Sequence, residues 1–454
     1  MSRLILLIWA ILIVFLASCS IDIATSALTG TPTGAFPEQP TVTVTIIPSR
    51  QAEPSISNTE TITNMPAPIH TPSVTSEQMI DLQEHTLEIS EERAKYEIDA
   101  RIVFWGSYQE NTLVQEPSFI WDIGMDQRWP LEKQEDEAIS GVQISPDHRR
   151  LAYKISNSSS LASTIITTDA EGKVLSNRRV SDQFGGIIGW YDANILIIEW
   201  VDLIVEGDVV YIDMPSPLVL FDPVSGEEIR KLSIRDYPDA YGYLPEYSWG
   251  ELALSVASYN FDKNVVIYKK GNRGIAMWDL YNQKELFQID TQDPYSDGPR
   301  WSPDSEEIAI DMSMELENNK IQEELYIVNM EGKVTRLTDF GAQYSHVKIS
   351  SYHWSPNGEN IAFWVNLNEN SRFYHLAVVD RVSGKITLFK NITAVSKFLG
   401  PIEKPVWMPN NRELFVTNAI DESNYQVLWI DLSADLGVVI EENSIPLGWM
   451  TGMP

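Results

Sequence analysis

Seven times between residues 122 and 431 an apolar, strand-like run ends on Asp or Asn, turns, and gives way to another such run. The copies begin at Asp122, Asp169, Asp222, Asp279, Asn329, Asp380 and Asp431, at spacings of 47, 53, 57, 50, 51 and 51 residues. Such a unit cannot cover both its own apolar faces, so a chain built this way must stack its units side by side. A period near fifty residues accommodates four strands and their turns, and four-stranded units arranged radially make a β-propeller. The expected fold is all-β: a seven-bladed β-propeller closed by the C-terminal strand, with six or eight blades as alternatives.

Each unit carries a second marker, in which an aromatic-bearing strand meets a Ser-Pro-Asp-type turn and then a strongly apolar strand. Trp301-Ser302-Pro303-Asp304 runs into Ile308-Ala309-Ile310, and Trp354-Ser355-Pro356-Asn357-Gly358 into Ile361-Ala362-Phe363-Trp364. Trp407-Met408-Pro409-Asn410, Ile144-Ser145-Pro146-Asp147 and Trp190-Tyr191-Asp192 follow the same plan, while Asn260-Phe261-Asp262 is a degenerate copy. Proline presets the turn, Asp or Asn bonds its backbone, and alternate residues of the next strand face the two neighbouring blades. The first hairpin, at Asp122, follows Arg101–Trp105 with no aromatic-Ser-Pro strand before it. Ile445-Pro446-Leu447-Gly448-Trp449 is such a strand with no hairpin after it. Together they are expected to make one blade from the two ends of the ring.

The Trp-Ser-Pro-Asp-Gly-x-x-Ile-Ala-Phe pattern resembles the TolB-like propeller repeat. The resemblance implies an interaction platform, and the count of seven departs from the six blades usual in that family. Repeats of this kind specify a fold and leave activity open.

At the N-terminus Arg3 precedes an unbroken apolar stretch from Leu4 to Ala17, followed by Ser18-Cys19-Ser20. The stretch is shorter than the roughly 20 residues that span a bilayer and has the length of a signal-peptide core. Cys19 is the single cysteine, so no intramolecular disulfide can form. Leu16-Ala17-Ser18-Cys19 resembles the lipobox of bacterial lipoproteins. That resemblance implies cleavage after residue 18 and a lipid on the Cys19 thiol, which would anchor the protein on the outer side of the bacterial cell membrane or in the outer membrane. The alternative is an uncleaved anchor with an inert thiol. Residues 19–75 are rich in Thr, Pro and Ser and are expected to form a disordered, extended linker. Within it, Thr41 to Ile47 alternates like a strand without an evident partner. Residues 76–100 are charged, with apolar Met79, Leu82, Leu87 and Ile89, and are expected to hold a short helix on the propeller base. The propeller itself is expected over 101–454.

The net charge is −31, from 33 Lys+Arg against 64 Asp+Glu. Such a surface repels polyphosphate, which argues against a nucleic-acid partner. Its dispersed carboxylates read first as solubility charge and second as cation binding. The six histidines form no zinc-type pair. The nearest approach to a calcium loop, Asp311 to Glu317, reads as a solvated blade loop. No Gly-x-Ser-x-Gly motif is present. No catalytic residue, metal or cofactor is therefore expected.

One constellation stands out. Arg300 and His353 precede the inner-strand tryptophan in successive blades, where other blades place Gly189, Val406 and Gly448. With Asp297, Tyr352, Glu403 and Lys404 they are expected to ring one mouth of the central channel, at the start of the inner strands, a common ligand site. The alternative makes Arg300 and His353 satisfied inter-blade groups and the others rim charges. The expected function is a lipid-anchored, monomeric binding or scaffold module for a protein, peptide or glycan. The competing expectation is a hydrolase or lyase acting on a saccharide or lactone, which would need two close carboxylates with one pKa raised.

Overall fold

The computed structural model describes residues 69–70 and most of 81–451. Residues 1–68 and, chiefly, 107–117, 233–255, 292–297 and 396–401 lie outside the described residues. The leader, Cys19, most of the linker and Asp297 therefore fall outside it. The described chain forms seven antiparallel four-stranded blades. Blade 1 consists, from inside out, of Ser444–Trp449, Arg101–Gly106, Phe119–Asp122 and Gln127–Pro130. Blade 2 runs from Glu137–Ile144 to Val174–Val180, blade 3 from Phe184–Trp190 to Glu228–Leu232, and blade 4 from Val256–Asn260 to Lys284–Asp290. Blade 5 runs from Arg300–Trp301 to Val334–Arg336, blade 6 from Lys348–Trp354 to Lys385–Val395, and blade 7 from Val406–Trp407 to Leu436–Glu442. Blade 3 carries an extra hairpin, Asp202–Glu206 with Val209–Asp213, between its second and third strands.

The continuous apolar runs of the second strands follow from burial on both faces. In Asn360–Asn366, Ile361, Phe363 and Val365 join the core shared with blade 5, while Ala362 and Trp364 join the core shared with blade 7. In Glu413–Ala419, Leu414 and Val416 face blade 6 and Phe415 faces blade 1. Side chains alternate across a strand, so each blade contributes to two cores. All seven hairpin residues read from the sequence do the same work. Asp122, Asp169, Asp222, Asp279, Asn329, Asp380 and Asp431 each accept backbone N–H groups of the turn that follows them. The Ser-Pro-type turns are equally regular: the Ser145, Ser302 and Ser355 hydroxyls bond Asp147, Asp304 and Asn357 and accept the N–H five residues on. The Ser302 hydroxyl thereby helps hold the Asp304 carboxyl below the usual carboxylate range.

The ring closes as the sequence implies. Ser444–Trp449 pairs antiparallel with Arg101–Gly106, with a bulge at Leu447. The joint extends beyond the strand. The Met450 N–H donates to Arg101 O (2.9 Å) and the Thr451 N–H to His148 O (2.8 Å), while the Met450 side chain is buried against blade 2. The Trp449 ring stacks on His148 at 3.6 Å between centroids, and His148 Nδ1 lies 3.0 Å from Trp449 O. Ile445, Leu447 and Trp449 themselves are only partly buried.

Residues 76–100 depart from expectation. Their described part holds two short strands, Asp81–His85 and Glu88–Ser90, and a single 3₁₀ turn at Arg93–Lys95 in place of a helix. The strands add in parallel to the outer edges of blades 6 and 7. The end of the expected linker, Ile69–His70, adds in the same way to blade 4. Apolar residues of a marginal amphipathic segment find more burial in the open outer edges than a lone helix would give them: Leu87 is buried in the core between blades 6 and 7, and Leu82 and Ile89 pack on adjoining cores. Asn391 holds the belt in register, accepting the Leu87 N–H (3.0 Å) and donating to Leu87 O (2.9 Å). His85 pairs with Asp435, Glu84 with Lys390, and Arg93 with Asp126 and Ile123 O. Among the described residues no helix is long and apolar enough to cross a membrane.

Deleting residues 444–454 strips blade 1 of its inner strand and uncovers the cores it shares with blades 2 and 7. Loss of Met450 alone removes about 1.5–3 kcal/mol of burial, before any strand pairing is counted, against a whole-domain stability of about 5–15 kcal/mol. The truncated protein should be insoluble or melt far below the full chain. A cooperative melt at the full-length temperature would show that the ring does not depend on this joint.

Candidate functional site

The inner strands end beside the Ser-Pro-type turns, and the residue before each closing aromatic sits at that end. His353, next to last in Lys348–Trp354, is therefore at the exit of its inner strand, not at its start, and Arg300 holds the corresponding place one residue before Trp301. The local chain geometry repeats. Two residues earlier stand Gly141, Gly298 and Ser351 in the left-handed region, at φ 59°, 77° and 52°. In blade 6 the register jumps between Ser350 and His353, so Ser351 and Tyr352 form a bulge opposite Phe363. A bulge re-aims the side chains that follow it.

The consequence for Tyr352 contradicts its placement on the rim. Its side chain is fully buried between blades 5 and 6, with the hydroxyl 3.0 Å from Asp311 Oδ1 and at hydrogen-bond distance from Gly298 O. Asp311 is likewise no loop residue. It is buried within Glu307–Glu315, and among the described residues no group of His, Cys, Asp and Glu is arranged to hold a metal.

His353 Nδ1 lies 2.8 Å from Pro405 O of blade 7. Only a protonated Nδ1 can bond that carbonyl, so the neutral ring carries its proton there and leaves Nε2 as an acceptor. Burial, reinforced by the Lys404 and Arg300 charges and by His148, pushes its pKa down to about 3. The two charged influences come from blades 5 and 7, so Arg300 and Lys404 lie near one another in a strongly acidic molecule. Arg300, Glu403 and Lys404 are exposed, and Asp297 lies outside the described residues.

The backbone beneath these residues is pinned by indole donors. Trp354 Nε1 donates to Arg300 O, Trp407 Nε1 to His353 O, and Trp364 Nε1 to Glu403 O, each at 2.9 Å. Trp190 Nε1 repeats the contact to Gln143 O at 3.1 Å. Each bond crosses from one blade to another. The sequence signal was present in the recurring tryptophan, but its acceptor is a main-chain carbonyl and leaves no mark on residue type. The structure thus brings Arg300 and Lys404 near His353, leaves the adjoining Glu403 exposed, sends Tyr352 into the core, and gives His353 an inter-blade role.

The depressed His353 pKa sets a direction for acid stability. Between about pH 6.5 and pH 3 the unfolded chain binds a proton that the folded chain does not, so stability present above the unfolded pKa is lost as pH falls. Carried to pH 4, the loss is about 3 kcal/mol at 1.36 kcal/mol per unit. His353→Gln keeps an N–H for Pro405 O and removes the titration. Its melting temperature should fall less steeply than that of the wild type from pH 6.5 to 4, the remaining slope reflecting His148, His346 and His375, which burial also lowers. Parallel slopes in the two proteins would refute this role.

No protein-family model and no curated protein sequence matches this chain. Solved structures similar to it include TolB from Acinetobacter baumannii, at 15% identity over 78% of this chain and 67% of that one, with a TM-score of 0.40. The Cps50 (Swd1) β-propeller domain from Myceliophteria thermophila is similar at 12% identity over 68% and 90% of the two chains, with a TM-score of 0.41. A candidate 6-phosphogluconolactonase from Bacteroides fragilis is similar at 13% identity over 77% and 97%, with a TM-score of 0.43. The strand order of this chain by itself makes it a seven-bladed β-propeller, and likeness at this level says nothing of its activity.

Proposed function

We propose that this protein is a lipid-anchored, extracytoplasmic binding or scaffold module that holds a protein, peptide or glycan at the channel mouth ringed by the Ser-Pro-type turns. The observation that carries this reading is the set of exposed charged groups Arg300, Glu403 and Lys404, with the Arg300 and Glu403 carbonyls tied between blades by indole N–H groups. A pre-organised backbone removes the main-chain part of the ordering cost that such side chains meet on binding a partner. Arg300 and Lys404, both close enough to His353 to lower its pKa, bring two cations together in a chain of net charge −31, which favours a partner presenting carboxylates. The catalytic alternative needs a carboxyl kept protonated beside a second one. Glu324, which burial pushes up, is instead saturated by the Thr338 hydroxyl, the Phe340 and Gly341 N–H groups and Arg336. The apolar leader ending at Cys19 supports a place in the cell envelope.

Two measurements test the reading. A partner recovered by pull-down on the membrane-anchored protein should bind the Arg300→Ala, Lys404→Ala double variant at least about tenfold more weakly, roughly 1.4 kcal/mol, with the melting temperature nearly unchanged. Undiminished binding would move the site away from this mouth. Separately, cells fed labelled palmitate should label the wild type and not Cys19→Ser, which should also keep its leader uncleaved. Absence of label on the wild type would remove the lipid anchor from the proposal.

A further inference from the structure

The upstream chain belts three blades, and their outer strands are long: seven residues in Lys284–Asp290, eleven in Lys385–Val395 and seven in Leu436–Glu442. Blades 1 and 5 end in shorter strands, of four and three residues, and that of blade 1 closes on Pro130, which has no N–H to offer; the described part of the blade 3 outer strand holds five residues. Blade 2 breaks the pattern. Val174–Val180 has the seven residues of a belted edge, yet among the described residues no strand and no backbone group pairs with its outward side. Leu175 stands 39% exposed on it. A seven-residue open edge is a template for another strand.

We propose that the outer edge of blade 2 is the docking site for this chain's own segment Thr41–Ile47, added in parallel as a fifth strand that continues the belt. Followed towards the N-terminus, the belt passes from blade 7 to blade 6 to blade 4. Among the described residues the next edge of seven residues in that direction is that of blade 2. Ten residues separate Ile69–His70 on blade 4 from Asp81–His85 on blade 6, and twenty-one separate Thr41–Ile47 from Ile69. Thr41-Val42-Thr43-Val44-Thr45-Ile46-Ile47 is wholly β-branched, matches the edge residue for residue in length, and is bounded by Pro40 and Pro48. Register follows from the belted blades. Pairing starts five residues after the hairpin Asp in blade 6, at Lys385, and in blade 7, at Leu436. The same offset from Asp169 is Val174, which sets Thr41 opposite Val174 and Val44 opposite Asn177. Docked this way, the segment leaves residues 20–40 as the tether between Cys19 and the ring.

The test uses the full chain with Cys19→Ser, so that engineered cysteines are the only thiols. Val44→Cys with Asn177→Cys should form an intramolecular disulfide under mild oxidation to the same extent as a belt control, Gln83→Cys with Thr387→Cys, whose residues pair in blade 6. In the wild type the amides of 41–47 should exchange with solvent at least about tenfold more slowly than those of 50–60. A register slip would spare the second result while weakening the first, so protection of 41–47 that disappears in Val44→Pro also supports docking. Equal exchange across both segments overturns the proposal. A disulfide that links two chains overturns it in favour of a second copy as the occupant.

Discussion

Each blade is a sheet buried on both faces, and this one condition governs the rest of the molecule. A sheet with Ile361, Phe363 and Val365 on one side and Ala362 and Trp364 on the other has no solvent face to offer. No blade is stable without both neighbours, so the ring requires a joint as good as any of its ordinary contacts. The chain makes that joint from its two ends. Strand pairing between Ser444–Trp449 and Arg101–Gly106 supplies the sheet, and Met450, Thr451 and the Trp449–His148 stack carry the tail across to blade 2. Arg101 strengthens the same place from below: it forms a buried pair with Asp122 at 2.8 Å and reaches Ala170 O in the hairpin of blade 2. Buried charges are tolerated only when paired and bonded in this way.

A ring removes lateral edges but leaves an outer edge on every blade. The protein manages those edges unequally. Blades 4, 6 and 7 receive an added parallel strand, blade 1 ends at a proline, and blade 5 stops after three residues and passes into a turn held by the buried Glu324 carboxylate. Covering an edge, shortening it and denying it a donor are different answers to the same hazard of edge-to-edge association. The belt also fastens the upstream chain to the ring at several points, so load applied through the N-terminal segment is shared by blades 6, 7 and 1 through Asn391, Lys390, Asp435 and Asp126.

The channel mouth shows how such a scaffold can carry a site. Indole N–H groups need partners when buried, and here they find the carbonyls of Arg300, His353 and Glu403 across the blade boundaries. Packing and site are thereby coupled: the residues that fill the inter-blade space also fix the main chain under the exposed charges. His353 belongs to the first group, Arg300 and Lys404 to the second.

The sequence by itself determined the repeat and pointed to seven blades closed by the C-terminal strand, because both rest on local chemistry that residue type records, while the strand order excluded the six- and eight-bladed alternatives. Asp or Asn at a hairpin accepts turn N–H groups, proline presets a Ser-Pro turn, and alternation marks a strand, so Asp122 through Asp431 could be placed without coordinates. It could not place Tyr352, whose direction depends on a bulge created by the left-handed Ser351, a conformation that serine does not advertise. Nor could it give the fate of 76–100, since the same spacing of Leu82, Leu87 and Ile89 fits a short helix or two edge strands. The choice was made by open edges contributed from residues some three hundred positions away. What tertiary structure alone decided, in each case, was the identity of the partner, because hydrogen bonds to main-chain atoms and burial against a distant strand leave no trace in the residue that makes them.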